Sequence, residues 1–123
     1  MVYVSSGVYE EHVTLKDGVR VVGSGASSTI IRYAYGFDEV VRAQQMSSGS
    51  LEKVTVERLA SVLPGPVVLA DSAAAALIDC TLTGGQGSGV EVAGSTSTLT
   101  LDRVQVTGNV GHGVFVHDAA RVL

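Results

Sequence analysis

Two histidines and an aspartate stand close together in "TGNVGHGVFVHDAARVL": His112 lies between Gly111 and Gly113, and His117 directly precedes Asp118. A histidine beside a carboxylate has the parts of a base and its orienter, because imidazole exchanges a proton near neutral pH and the carboxylate can fix which nitrogen carries it. Neighbours on an extended chain point to opposite sides, however, so the expected reading of His117 and Asp118 is an exposed corner. Glu91 and Arg42 complete the candidate catalytic set, one acid and one cation. His12, beside Glu10 and Glu11, could join a metal site only with a further ligand from elsewhere, and a solvated turn is expected there. No cofactor is expected from these residues. The single Cys80 cannot close an internal disulfide and stands where related segments carry valine, so it reads as a small buried hydrophobe. "GSGASS", from Gly23, resembles a phosphate-cradling loop, but a β-branched "TII" follows it instead of a helix, which argues against nucleotide binding.

The elements that must position these residues show themselves as repeats. "LEKVTVE" from Leu51, "LIDCTLT" from Leu77 and "LDRVQVT" from Leu101 align, and each is followed by a second alternating piece, "PVVLAD" from Pro66, "GVEVAG" from Gly89 and "GVFVHD" from Gly113. Two short strands thus recur about every 24 residues, a period typical of solenoids. Composition agrees: the chain of 123 residues is 46% hydrophobic but only 5% aromatic and holds 15 glycines, so its core must be built from small aliphatic side chains with frequent turns. Helices are excluded because the pattern has period two.

One set of positions is consistently apolar: Leu51, Leu77 and Leu101; Val54, Cys80 and Val104; Val56, Leu82 and Val106; Val67, Val90 and Val114; Leu69, Val92 and Val116. These are expected to point inward, with Thr55, Thr81 and Gln105 among those pointing out. Like residues recurring at one whole period imply that each coil lies on the last, so the expected fold is all-β, a parallel β-solenoid of about five short coils. Lys53, Asp79 and Arg103 alternate in sign down that stack, as neighbouring coils prefer. The outward column of the second strand reads Arg42, Val68, Glu91 and Phe115, and Phe115 with Val68 offers a shallow ligand-binding strip. The chain is expected to form a single domain over residues 1–123, with an opening coil at 1–33, repeats at 34–123 and a longer corner loop at 57–66. Threonines at 81, 83, 96, 98 and 100 suggest an ice-binding array, but Gln105 and Glu57 break its columns.

"SSGVYEEHVTLKDGVRVVGSGASSTIIRY", from Ser5, resembles the opening coil of right-handed parallel β-helix proteins of the pectin-lyase-like superfamily, in the residues Gly7, Tyr9, Glu11, Val13, Leu15, Gly18, Val21, Gly23, Gly25, Thr29 and Ile30. The later coils are similar to that superfamily's generic repeats. The resemblance implies a right-handed β-helix, an extracellular or cell-surface setting and polysaccharide as partner. It also makes Gly111-His112-Gly113 a match to a polygalacturonase tripeptide, and it implies calcium only under the lyase reading. The preceding coil, "GGQGSGV", lacks the aspartates that accompany the tripeptide in that family. The expected function is therefore a non-catalytic scaffold or carbohydrate-binding segment of a larger secreted or surface protein. The alternative is a polysaccharide lyase, hydrolase or epimerase using His112, His117, Asp118, Glu91 and Arg42.

Charge narrows the partners. Eight Lys and Arg against 12 Asp and Glu leave a net charge of −4 with no basic run, which argues against nucleic acid. No apolar stretch approaches the ~20 residues of a membrane-spanning helix, and the first residues show no signal-peptide pattern. Met1 begins in strand-like "VYV", and Leu123, one period after Leu99, reads as the start of another coil. Neither end looks capped, so a fragment of a longer solenoid or end-to-end self-association is expected.

Overall fold

Residues 1–33, 39–59, 65–84 and 87–123 are described by the computed structural model. Runs of Val, Ile, Leu and Thr, interrupted every few residues by Gly, Ser or Asp, form short strands and no helix among the described residues. The chain opens with β1 (Val2–Tyr3), β2 (Gly7–Glu10) and β3 (Val13–Thr14). The same order of three recurs as β4 (Arg20–Val22), β5 (Thr29–Tyr33) and β6 (Val41–Met46), then as β7 (Ser50–Glu52), β8 (Thr55–Arg58) and β9 (Val68–Ile78). β10 (Thr81–Thr83), β11 (Val90–Ala93) and β12 (Thr98–Asp102) follow, and β13 (Gln105–Thr107), β14 (Val114–Val116) and β15 (Arg121–Val122) come last.

Every strand pairing is parallel, with partners one coil apart, and the product is a three-faced β-solenoid. The first face is β2, β5, β8, β10 and β13. The second is β3, β6, the first part of β9, β11 and β14; the third is β1, β4, β7, the last part of β9, β12 and β15.

Three strands per coil replace the two expected. "LEKVTVE", "LIDCTLT" and "LDRVQVT" are each bent into two strands at Lys53, Asp79 and Arg103, whose φ angles of 58°, 54° and 53° are left-handed. This bend explains why Leu51 and Val54, three positions apart, both face the core. A second left-handed stack, Gln45, Ser72, Gly94 and Asp118, turns the second face into the third, and β9 runs through it at Ser72. Gly84 and Gly108, with φ of 86° and 66°, lead out of the first face. Glu57 and Arg58, expected to open the corner loop at 57–66, belong to β8; residues 60–64 lie outside the described residues.

Leu51, Leu77, Val54, Cys80, Val56 and Leu82 are buried in continuous ladders, as the inward columns require. The buried hydroxyls of Ser97 and Thr29 are satisfied locally: Ser97 Oγ accepts from Ala73 N at 3.0 Å, and Thr29 Oγ1 accepts from Ser24 N at 2.9 Å. On the second face the alignment is corrected by one residue. Val90 pairs with Val68, not Val67, so Val68 is 1% exposed and points inward while Leu69 points out. Val40-Val41 and Val67-Val68 both turn two consecutive valines into the core where the chain rounds a corner, and that doubling breaks the alternation on which the alignment relied. Likewise Val122, not Leu123, stands opposite Leu99.

Candidate functional site

The second face carries the candidate residues because parallel register fixes two outward columns on it. One runs Thr14, Arg42, Leu69, Glu91, Phe115; the other runs Gln44, Asp71, Ala93 and then His117, whose amide donates to Val92 O at 3.0 Å. Val68, expected beside Phe115 on the outward strip, instead points inward, whereas Phe115 points out and is 39% exposed.

His112, His117, Asp118 and Glu91, far apart or divergent in sequence terms, come together around Phe115. The His112 ring stacks on Phe115 with centroids 5.5 Å apart and planes at 19°, and the His117 ring is tilted against Phe115 at 5.0 Å. His117 Nδ1 lies 3.0 Å from Asp118 Oδ2, and Nε2 lies 3.6 Å from Glu91 Oε2. The expected divergence of His117 and Asp118 is overturned by the left-handed backbone at Asp118, φ 57°, which folds its carboxylate back toward the ring. A neutral imidazole carries one N–H and can donate to one of these carboxylates; an imidazolium addresses both. His117 Nε2 is shielded from solvent and has no hydrogen-bond partner in the present geometry. Chemically the group can exchange a proton, accept hydrogen bonds from hydroxyl or ammonium donors, and offer an apolar ring edge.

Gly111 of Gly111-His112-Gly113 has an architectural explanation. A Cβ at Gly111 would lie 2.6 Å from Gly87 O, so the backbones of successive coils touch there, and His112 occupies the place of Ser88 one coil earlier. Arg42 is not part of the cluster. It stands two rows away, beyond Leu69, and its Nε donates to Glu39, a 3% exposed carboxylate that sequence reading missed. His12 Nε2 approaches the same carboxylate at 3.4 Å and its ring meets Tyr33 edge-on, so His12 engages Glu39 and not a solvated turn. Burial pushes the Glu39 carboxyl up, but the bonds from Arg42, its own amide and His12 outweigh it and hold the group below the usual carboxylate range. An acid immediately before Val40-Val41 was the sequence signal for this buried carboxylate.

No family model, curated protein or solved structure matches the chain.

A shallow groove of about 350 Å³ follows the corner between the third and first faces, where Lys53, Asp79 and Arg103 line up. Arg103 holds Asp79 through two bonds of 2.5 and 3.1 Å and reaches Asp102 at 3.0 Å, bearing out the alternating column. Cys80 lies in its floor, buried, and the lack of water around it pushes the thiol pKa up, away from a reactive thiolate. Among the described residues no group of three or more His, Cys, Asp and Glu side chains could hold a metal ion. No helix among them is long and apolar enough to cross a membrane.

Proposed function

We propose that this chain is a binding segment of a β-solenoid protein, on the plan of the pectin-lyase-like superfamily, that holds a saccharide against the outer surface of its second face. The reading rests on one observation: the exposed strip of His112, Phe115 and His117, edged by Glu91 and Asp118. Such a strip joins apolar ring edges to directed acceptors, which is what a sugar with its C–H faces and hydroxyl donors requires. Stacked coils also place successive outward rows about 4.8 Å apart, close to the advance of one pyranose along an extended glycan. Localisation at a cell surface belongs to the same proposal, supported by the sequence resemblance alone.

A second reading, polysaccharide cleavage, is favoured by the position of His117 between two carboxylates, with Asp118 as orienter and His117 or Glu91 as proton carrier. One experiment addresses both. The chain is titrated with neutral and charged oligosaccharides, with and without calcium, while binding is read by NMR shifts and cleavage by new reducing ends or unsaturated products. Binding that Phe115→Ala weakens about tenfold or more, without products, supports the first reading. Products abolished in His117→Ala support the second, and an unresponsive spectrum across the panel overturns both.

A further inference from the structure

We infer that proton uptake by His117 latches the corner between β14 and β15 onto the preceding coil. This switch goes beyond the saccharide reading and needs no ligand on the second face. The corner turns through two consecutive left-handed residues, Asp118 at φ 57° and Ala119 at φ 62°, neither of them glycine. At the equivalent corners of the three preceding coils, Gln45, Ser72 and Gly94 are each a single left-handed residue. The corner at Asp118 therefore bears more backbone strain than those before it, and its neighbours must hold it. Its backbone is tied to the preceding coil at either end, where His117 N donates to Val92 O and Arg121 N to Ser97 O, both at 3.0 Å. Beside those ties stands the His117 side chain, with Asp118 on one nitrogen and Glu91, from β11 of the preceding coil, on the other.

The neutral ring cannot satisfy both carboxylates. Nδ1 lies 3.0 Å from Asp118 Oδ2, within hydrogen-bond reach, so the single N–H of the neutral imidazole belongs there. Nε2 then bears a lone pair, 3.6 Å from Glu91 Oε2 and shielded from water, so an acceptor meets a carboxylate with no donor between them. Such an arrangement is unfavourable, as any buried acceptor without a donor is. Protonation supplies the missing N–H: the imidazolium donates to both carboxylates, and the 3.6 Å contact can close to a charge-assisted hydrogen bond between two coils. The other ionisable groups facing this one are His112, whose ring lies against Phe115, and Asp71, two coils back in the outward column with Ala93 between. The charge of Asp71 favours the imidazolium at longer range, whereas a protonated His112 opposes it. By linkage, a closed corner that binds the proton more tightly than an open one gains on it as pH falls through the histidine range, and loses that advantage as pH rises. The same proton holds the His117 ring against Phe115.

The test uses the full chain, labelled with nitrogen-15, and reads amide hydrogen exchange by NMR at about pH 5.5 and about pH 8, on either side of the histidine range. Protection factors, which remove the intrinsic pH dependence of exchange, are compared at His117 and Arg121, with Thr81, bonded to Val54 O in the middle of the stack, as the reference. The expected result is that protection at His117 and Arg121 rises at least about threefold relative to Thr81 at the lower pH, and that ring-nitrogen shifts place the proton of the neutral His117 on Nδ1. In Glu91→Gln the side-chain amide can donate to the neutral ring, so the response should shrink below about 1.5-fold. Equal, lower or undetectable protection at the acid side overturns the inference, as does a neutral ring protonated on Nε2. A response that Glu91→Gln retains in full overturns it as well, because the proton would then act at another group.

Discussion

Gly84 is a residue on which the path of the chain depends. Its φ of 86° is left-handed, and a Cβ there would sit 2.1 Å from the carbonyl oxygen of Arg58 on the neighbouring coil. Gly18 has a similar φ of 77° but open space around it. Comparing the two separates backbone strain from collision. Gly18→Ala should cost about 1–2 kcal/mol, the left-handed penalty alone, whereas Gly84→Ala should cost about 2–5 kcal/mol because coil-to-coil spacing must also give way. Thermal denaturation followed by circular dichroism checks the order, and equal effects would show that the coils are not in contact there. Lys53, Asp79 and Arg103 bear the same strain with side chains present, and the ion pair between Asp79 and Arg103 helps hold them. His117 and Asp118 show the same device at the candidate site, where one left-handed residue converts neighbours into partners.

At the scale of elements, ladders of like residues carry the stability. Leu51, Leu77 and Leu101 stack in register on the third face, and Leu77 is 1% exposed between its two neighbours. Leu77→Ala should destabilise by about 2–5 kcal/mol, since coils held by hydrogen bonds on both sides cannot collapse into the cavity. Thr100→Ala, on the outward side of the same face and beside Ala76, should change stability by less than about 0.5 kcal/mol. Chemical denaturation midpoints measure both; a large effect at Thr100 would mean that the outer column is covered. The stretch "SAAAALI" shows how strongly the ladder decides. Alanine is the best helix former, yet Ala73 to Ala76 lie in the middle of an 11-residue strand because pairing with β6, β7 and β12 is available on both sides.

For the whole molecule, the acidic groups predict how the fold responds to pH. Hydrogen bonds from Arg20 and Ser50 hold Glu52 below the usual carboxylate range, and Glu39 is held down by Arg42, its own amide and His12 against the opposing effect of burial. Both side chains are largely buried, unlike Asp17 and Asp79, whose exposed pairs contribute little. A carboxyl with a depressed folded-state pKa stabilises the fold above its unfolded value, about 4.3 for Glu, and that contribution is lost as pH falls through the folded value. Melting temperature should therefore hold steady above about pH 5 and fall below about pH 4, with a shallower acid limb in Glu39→Gln and Glu52→Gln. An unchanged acid limb in both variants would remove these pairs from the explanation.

The sequence by itself determined the stacking, though not the three strands of each coil: period-two alternation with like residues recurring near every 24 positions points to parallel strands laid one coil on the next. It also placed Cys80 in the core and Lys53, Asp79 and Arg103 in one column. Tertiary structure decided the register of the second face, because the paired valines at 40–41 and 67–68 both turn inward at a corner and shift every outward residue beside them by one. It also decided which polar groups meet. Arg42 belongs to Glu39, and His112, His117, Asp118 and Glu91 gather around Phe115, because these contacts depend on left-handed corners and on neighbours a whole coil away, which local sequence pattern does not encode.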